Sequence, residues 1–146
     1  MRVVADTGPL VAAANEQDEA HALAAMVVDE LGRDLVIPFP VIAEVDYLLR
    51  TRVDPRAARQ FLQIVSDGGH RVAYLSPELF RRAVEIDMKY ADLGLGITDT
   101  SVMAYAESRH VAILTFDFGH FRATRPRRGF WKLLIDETRY RTSTRT

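Results

Sequence analysis

The sequence predicts an α/β fold: a mostly parallel central sheet of about five strands with helices on both of its faces. Three observations point to it. Short runs of Val, Ile, Leu and Ala alternate along the chain with longer segments of helical periodicity. The first run, Val3-Val4-Ala5, is wholly apolar, as a strand covered on both sides must be. The helical segments are long enough to serve as crossovers between parallel strands, which are right-handed.

Each element follows from local signals. A first strand is expected over residues 2–6, followed by a turn at Thr7-Gly8-Pro9 and a short helical stretch over 10–14. A helix is expected over 18–31, with Ala22, Leu23, Met26, Val27 and Leu31 on one face and Gly32 as its stop. Leu35-Val36-Ile37 reads as a second strand. Pro40 opens a helix running to about Arg52, and Asp54-Pro55 caps another to about Ser66. Asp67-Gly68-Gly69 breaks it, and a third strand follows over 71–75. Ser76-Pro77-Glu78 caps a helix to about Ala91, and a glycine-containing loop leads to Thr98, the expected cap of a helix over 99–109. Residues 111–115 read as a fourth strand and residues 130–135 as a fifth, at an edge. No repeat, linker or boundary is visible, so one domain is expected over residues 1–137, with residues 138–146 a flexible polar tail.

Composition narrows the chemistry. The chain has 146 residues, enough for one domain with a substantial core. It has no cysteine, which excludes disulfides, zinc–thiolate sites, iron–sulfur clusters and cysteine nucleophiles. The chain opens directly on a strand pattern with no visible signal peptide, and no apolar run approaches the ~20 residues of a membrane span. A cytoplasmic protein without membrane contact is expected. The net charge of −1 conceals a polarity: residues 1–117 sum to −7 and residues 118–146 to +6. Seventeen of the 19 basic residues are arginine, whose guanidinium grips phosphate in a bidentate way. The cluster Arg122, Arg125, Arg127 and Arg128, with His120 nearby, is therefore a candidate phosphate grip.

Four acids carry the strongest chemical signal: Asp6, Glu44, Asp99 and Asp117. Asp6 ends the first strand and Asp117 follows the fourth, and open parallel sheets bind ligands beyond the carboxyl ends of their strands. Asp99 shares a helical face with Val102, Met103, Ala106 and His110, and a carboxylate on an apolar face needs a partner. Glu44 borders the apolar arc Val41, Ile42, Val45, Leu48 and Leu49 on one side, and Asp46 borders it on the other; helical geometry alone does not choose between them. Two like charges at ~4 Å repel by about 4 kcal/mol at an effective dielectric of ~20. A hard cation such as Mg²⁺ or Mn²⁺ relieves that cost and prefers oxygen ligands. Thr7 and Thr115 are placed to support the carboxylates by hydrogen bonds. Each acid also has an ordinary reading, as turn residue, helix-boundary residue or helix N-terminal acid.

Other chemistries fit less well. Asp6-Thr7-Gly8 is the aspartic-protease triplet, but it runs into Ala12-Ala13-Ala14 and two helices rather than dense strands. A phosphoacceptor receiver domain needs a lysine after a late strand, and the only lysines are Lys89 and Lys132. A glycine-rich phosphate loop is absent.

As a set, the pieces resemble a PIN domain, in particular the VapC-type toxin ribonucleases of bacterial toxin–antitoxin pairs. The resemblance covers residues 2–135. It is carried by Val4-Ala5-Asp6-Thr7-Gly8-Pro9-Leu10, Ile42-Ala43-Glu44-Val45-Asp46-Tyr47-Leu48, Ile97-Thr98-Asp99-Thr100-Ser101, and Ile113-Leu114-Thr115-Phe116-Asp117 with His120-Phe121. Gaps of 38, 55 and 18 residues separate the four acids. The resemblance implies a three-layer α/β/α sandwich and favours Glu44 over Asp46. It also implies a Mg²⁺- or Mn²⁺-dependent endoribonuclease in which Asp6, Asp99 and Asp117 hold metal and Glu44 completes the cluster. A homodimer and an inhibitory antitoxin are implied as partners. Such toxins cut structured RNA, either a tRNA or the sarcin–ricin loop of ribosomal RNA. Asp46-Tyr47-Leu48, Thr51-Arg52-Val53 and residues 121–129 resemble the ribosomal branch. A non-catalytic or DNA-directed protein of the same fold is the alternative.

Overall fold

The computed structural model describes residues 1–145. Four strands and eight α-helices follow in the order β1 (Val3–Ala5), α1 (Thr7–Ala14), α2 (His21–Leu31), β2 (Leu35–Pro38), α3 (Phe39–Arg52), α4 (Pro55–Ser66), β3 (Arg71–Ala73), α5 (Pro77–Lys89), α6 (Gly96–Arg109), β4 (Ala112–Leu114), α7 (Phe118–Ala123) and α8 (Glu137–Thr144). The strands pair in the order β3-β2-β1-β4, and every pairing is parallel. The α/β class read from the sequence is what forms.

Every residue of β1 and β2 is buried. Successive strand residues point to opposite faces, so both faces of the sheet are covered by helices. Helix α3 contributes Val41, Ile42, Val45 and Leu49 to the core, and α6 contributes Val102, Met103, Ala104 and Ala106. Among the described residues no helix is long and apolar enough to cross a membrane.

The register positions the site. Ala5 lies opposite Leu114, and the Asp6 N–H donates to the Leu114 carbonyl at 2.9 Å. The ends of β1 and β4 therefore stop side by side, and the residues that follow them, Asp6 and Thr115, meet although 109 positions apart.

The structure corrects the sequence reading at several places. The sheet has four strands, not five. Residues 130–135 contribute one parallel bridge, Leu133 to Ile113, held by the Ile113 N–H on the Lys132 carbonyl (2.8 Å) and the Leu134 N–H on the Ile113 carbonyl (2.9 Å). The chain then bends at Leu134 and Ile135 towards the cap of α8, which ends the pairing. Residues 138–144, expected within the flexible tail, belong to α8 instead. Asp136 caps it by accepting the Arg139 N–H at 2.7 Å. Tyr140 packs on Phe116 and Phe118 with ring centroids 4.6 and 5.5 Å apart. Helix α1 begins at Thr7, with no intervening turn, because Asp6 is its N-cap. Helix α6 begins at Gly96, so Thr98 lies inside its first turn and is not the cap. The Gly96 N–H is taken up by Asp87 Oδ1 at 3.1 Å, which gives Asp87 a structural role.

Candidate active site

Asp6 is the most buried of the four acids, at 5% exposure. Its Oδ1 accepts the Thr7 N–H at 2.8 Å and its Oδ2 accepts the Thr115 hydroxyl at 2.7 Å. The same Thr115 oxygen accepts the Asp117 N–H at 3.0 Å. One fully buried hydroxyl thus ties together the ends of two neighbouring strands. Burial pushes the Asp6 carboxyl above its ordinary range. The Thr115 hydroxyl and the Thr7 N–H pull it back, and the charges of Asp117 and Glu44 push it further up.

Asp99 reaches the same place from the first turn of α6, with its side chain 25% exposed. Its pKa is pushed up to about 7, first by burial and then by the charge of Asp6, with Asp117 and Glu44 adding to the rise and His120 opposing it. Glu44 and Asp117 therefore belong to the same electrostatic cluster as Asp6 and Asp99. Asp117 caps α7 by accepting the His120 N–H at 3.3 Å. The His120 ring bridges two of the acids: its Nδ1 lies 2.6 Å from Asp117 Oδ2 and 3.6 Å from Asp99 Oδ2.

Glu44 and Asp46 differ in their neighbours. Asp46 pairs with Arg50, one turn on along α3, at 2.7 Å. Glu44 has no such ion pair among the described residues and raises the pKa of both Asp6 and Asp99. An arginine four residues after Asp46 was the sequence signal that marks it as a surface ion pair.

The supporting threonines divide. Thr115 does what the sequence suggested. Thr7 supports Asp6 through its backbone, while its buried hydroxyl has no hydrogen-bond partner among the described residues. The arginine cluster does not converge on the acids. Arg122 pairs with Glu137 of α8. Arg125 donates to the carbonyls of Arg122 (3.0 Å) and Thr124 (2.9 Å), closing the end of α7. Arg127 pairs with Glu85 at 3.3 Å, and its N–H donates to Glu107 at 2.7 Å. Arg127 and Arg128 line a cleft at the far end of α6. Of the five basic candidates, only His120 touches the acids.

The donor set fits a hard divalent cation in its chemistry. All four acids offer oxygen, no lysine or arginine pairs with them among the described residues, and their mutual repulsion raises two pKa values. The orphaned Thr7 hydroxyl adds a buried polar atom beside Asp6. Among the described residues no three acidic or histidine side chains are yet drawn around one point.

An acid cluster at the carboxyl ends of neighbouring parallel strands, in a sheet of order β3-β2-β1-β4, defines a class. The chain belongs to the PIN domain family, whose model matches residues 3–125. It is 33% identical over 125 residues to ribonuclease VapC26 of Mycobacterium tuberculosis, covering 85% of this chain and 93% of that protein. Among solved structures it is similar to M. tuberculosis VapC20, described as a sarcin–ricin-loop-cleaving toxin. That match has a TM-score of 0.76 at 20% identity and covers 90% of this chain and 98% of the other. It is also similar to a chain of VapBC2 from Rickettsia felis, solved on a DNA fragment from its promoter, with a TM-score of 0.61 at 17% identity, covering 84% and 92%. The two structural matches establish the fold.

Proposed function

We propose that this chain is an endoribonuclease toxin that hydrolyses a phosphodiester bond in structured RNA with the help of Mg²⁺ or Mn²⁺. The observation that carries the proposal is the set of four carboxylates, two following β1 and β4 and two from α3 and α6, that no lysine or arginine neutralises among the described residues. Identity to a ribonuclease over nearly the whole chain supports RNA as the substrate. The likeness to a chain solved in a VapBC assembly supports a cognate antitoxin as partner. A homodimer in the cytoplasm belongs to the same reading.

Asp6, Asp99 and Asp117 are the residues that would hold the cation, with Glu44 completing the cluster. When bound, the ion supplies Lewis acidity, which makes water a better nucleophile and neutralises charge developing on the phosphate. The chain's own contribution is positional. Thr115 fixes Asp6 and the backbone of Asp117 in one arrangement. Burial and the charge of Asp6 let Asp99 keep its proton well above the ordinary carboxylate range. Cation binding competes with that proton. Glu44 orients the attacking water. His120, already within hydrogen-bond distance of Asp117, offers an N–H donor at the edge of the cluster.

The test is incubation of purified, antitoxin-free protein with total bacterial RNA in Mg²⁺, in Mn²⁺ and in chelator, with new 5′ ends mapped against an Asp6→Asn control. A discrete metal-dependent cut that the variant lacks is expected. Cleavage that survives chelator, or a cut shared by the variant, would remove the acids from the reaction. A DNA hairpin in parallel separates the DNA-directed alternative.

A further inference from the structure

The basic residues that follow Asp117 are split between two places. Arg122 and Arg125 stay with α7. Arg127, Arg128 and Lys132 line a separate cleft of about 810 Å³, together with Arg82 and Arg109. This cleft is built from the last turn of α6, the entry to β4, the start of α5 and the turn after α7. Asp99 lies ten residues before Arg109 on α6, roughly 15 Å along the helix axis at 1.5 Å per residue. The cleft and the acids therefore occupy opposite ends of one helix.

Two of its cations are committed to structure. Arg82 makes a two-pronged pair with Glu107 (2.7 and 2.8 Å), and Arg127 is held by Glu85 and Glu107. Three have no carboxylate partner among the described residues: Arg128, Lys132 and Arg109, all exposed, with the Arg109 guanidinium over the Tyr105 ring at 5.8 Å. Against them the cleft wall offers only one further acid, Glu78. Phe130 stands on the same wall with 76% of its surface exposed, and the Arg125 guanidinium lies over its ring at 5.2 Å.

We propose that this cleft is a second RNA-contact surface. Arg109, Arg128 and Lys132 take backbone phosphates of a folded RNA whose scissile bond lies at the acids, and Phe130 stacks an unpaired base. The proposal rests on the reading that the substrate is RNA. Free cations beside an exposed aromatic ring are the combination that single-stranded loops use, since every base has a face to stack and every nucleotide a phosphate to neutralise. An acidic polypeptide would engage the cations and leave Phe130 idle. A cleft ~15 Å from the acids is reached by a hairpin and missed by a few-nucleotide fragment.

The experiment measures binding rather than cleavage, so an Asp6→Asn background is used throughout. Fluorescence anisotropy follows a labelled ribosomal hairpin and a four-nucleotide RNA between 50 and 200 mM salt. Arg128→Glu with Lys132→Glu is expected to weaken hairpin binding about tenfold or more and to lower the log–log salt slope by roughly two, because the counterions of each phosphate no longer contacted stay on the RNA when it binds. The short RNA is expected to bind as before. Phe130→Ala, which changes no charge, is expected to weaken the hairpin with the slope unchanged. Arg56→Glu with Arg59→Glu, on exposed α4, serves as a control for net charge. Unchanged hairpin affinity in the Arg128/Lys132 variant would overturn the proposal. So would an equal loss in the α4 control, or tighter cleft-dependent binding of poly-glutamate than of RNA. If the Asp6→Asn protein binds no RNA at any salt, the RNA reading itself fails. If it binds but ignores the cleft, only the cleft assignment does.

Discussion

Helix α6 carries an acid near each end, and the two are treated in opposite ways. Glu107 accepts two bonds from Arg82 and one from the Arg127 N–H, and these hold its carboxyl below its ordinary range despite the opposing effect of burial. Asp99 has no arginine or lysine partner among the described residues, and burial with three like charges pushes it up to about 7. The helix is the same and the chemistry of the two side chains nearly so. What differs is whether the fold supplies a counter-charge. Glu107 is given an arginine; among the described residues Asp99 has only the His120 ring, 3.6 Å away.

That contrast can be broken most forcefully at the acids. Asp99→Asn is expected to lower RNA cleavage by roughly 10²–10⁴-fold, the loss typical of a group at the reacting centre, while its circular dichroism remains native. Glu107→Gln is expected to do the reverse. It leaves Arg82 only partly paired and is expected to destabilise the fold by roughly 1–3 kcal/mol in urea unfolding, with kcat near that of the parent. The Glu107 contribution is present above its unfolded pKa and is lost as pH falls through the lowered folded value, so the variant and the parent should converge in acid.

The sign for Asp99 is opposite. A carboxyl whose folded pKa is raised costs nothing below its unfolded value of 3.8, and its cost grows as pH rises until about 7. The full rise corresponds to roughly 4 kcal/mol at 1.36 kcal/mol per unit, which partial solvent exposure reduces to the order of 1–2 kcal/mol. Metal-free Asp99→Asn should therefore melt higher than the parent at pH 8 and level with it at pH 4. A parent that melts higher at pH 8 would mean the Asp99 charge is already balanced within the chain. A smaller loss of activity than at Asp99 is expected for Thr115→Val, which removes the donor to Asp6 and the acceptor for the Asp117 N–H. It should lower activity by roughly 10–100-fold, as loss of a supporting partner does. Activity equal to the parent would show that the strand-end geometry holds without it.

Much of this arrangement was legible in the chain because it rests on short-range patterns. Val3-Val4-Ala5 is apolar on both faces, so it had to be central, and Asp6 had to lie at a strand end. Helix caps at Asp54 and Ser76 stand where the local chemistry places them. What escaped depends on tertiary contact. Residues 130–135 carry a strand composition, but only Leu133 is aligned with Ile113 before the chain bends. Helix α8 is polar in sequence and is held through Tyr140 against the two phenylalanines flanking Asp117. Thr115 was named as a support for the carboxylates, but its pairing with Asp6 in particular rests on the register of β1 and β4. The arginines after Asp117 are close in sequence, but Arg122 and Arg125 stay with α7 while Arg127 and Arg128 join the far cleft, so proximity along the chain misjudged their common purpose.

The most direct test of the contrast is Mn²⁺ titration by calorimetry of three metal-free proteins: the parent, Asp99→Asn and Glu107→Gln, each at pH 6 and pH 8. Binding is expected in the parent and in Glu107→Gln, with protons released at pH 6 and few at pH 8, because Asp99 loses its proton near 7. Asp99→Asn is expected to bind at least tenfold more weakly and to release fewer protons. Binding that persists unchanged in Asp99→Asn, or that is lost in Glu107→Gln while the fold is intact, would contradict the assignment of the unpaired acids as the metal-holding centre.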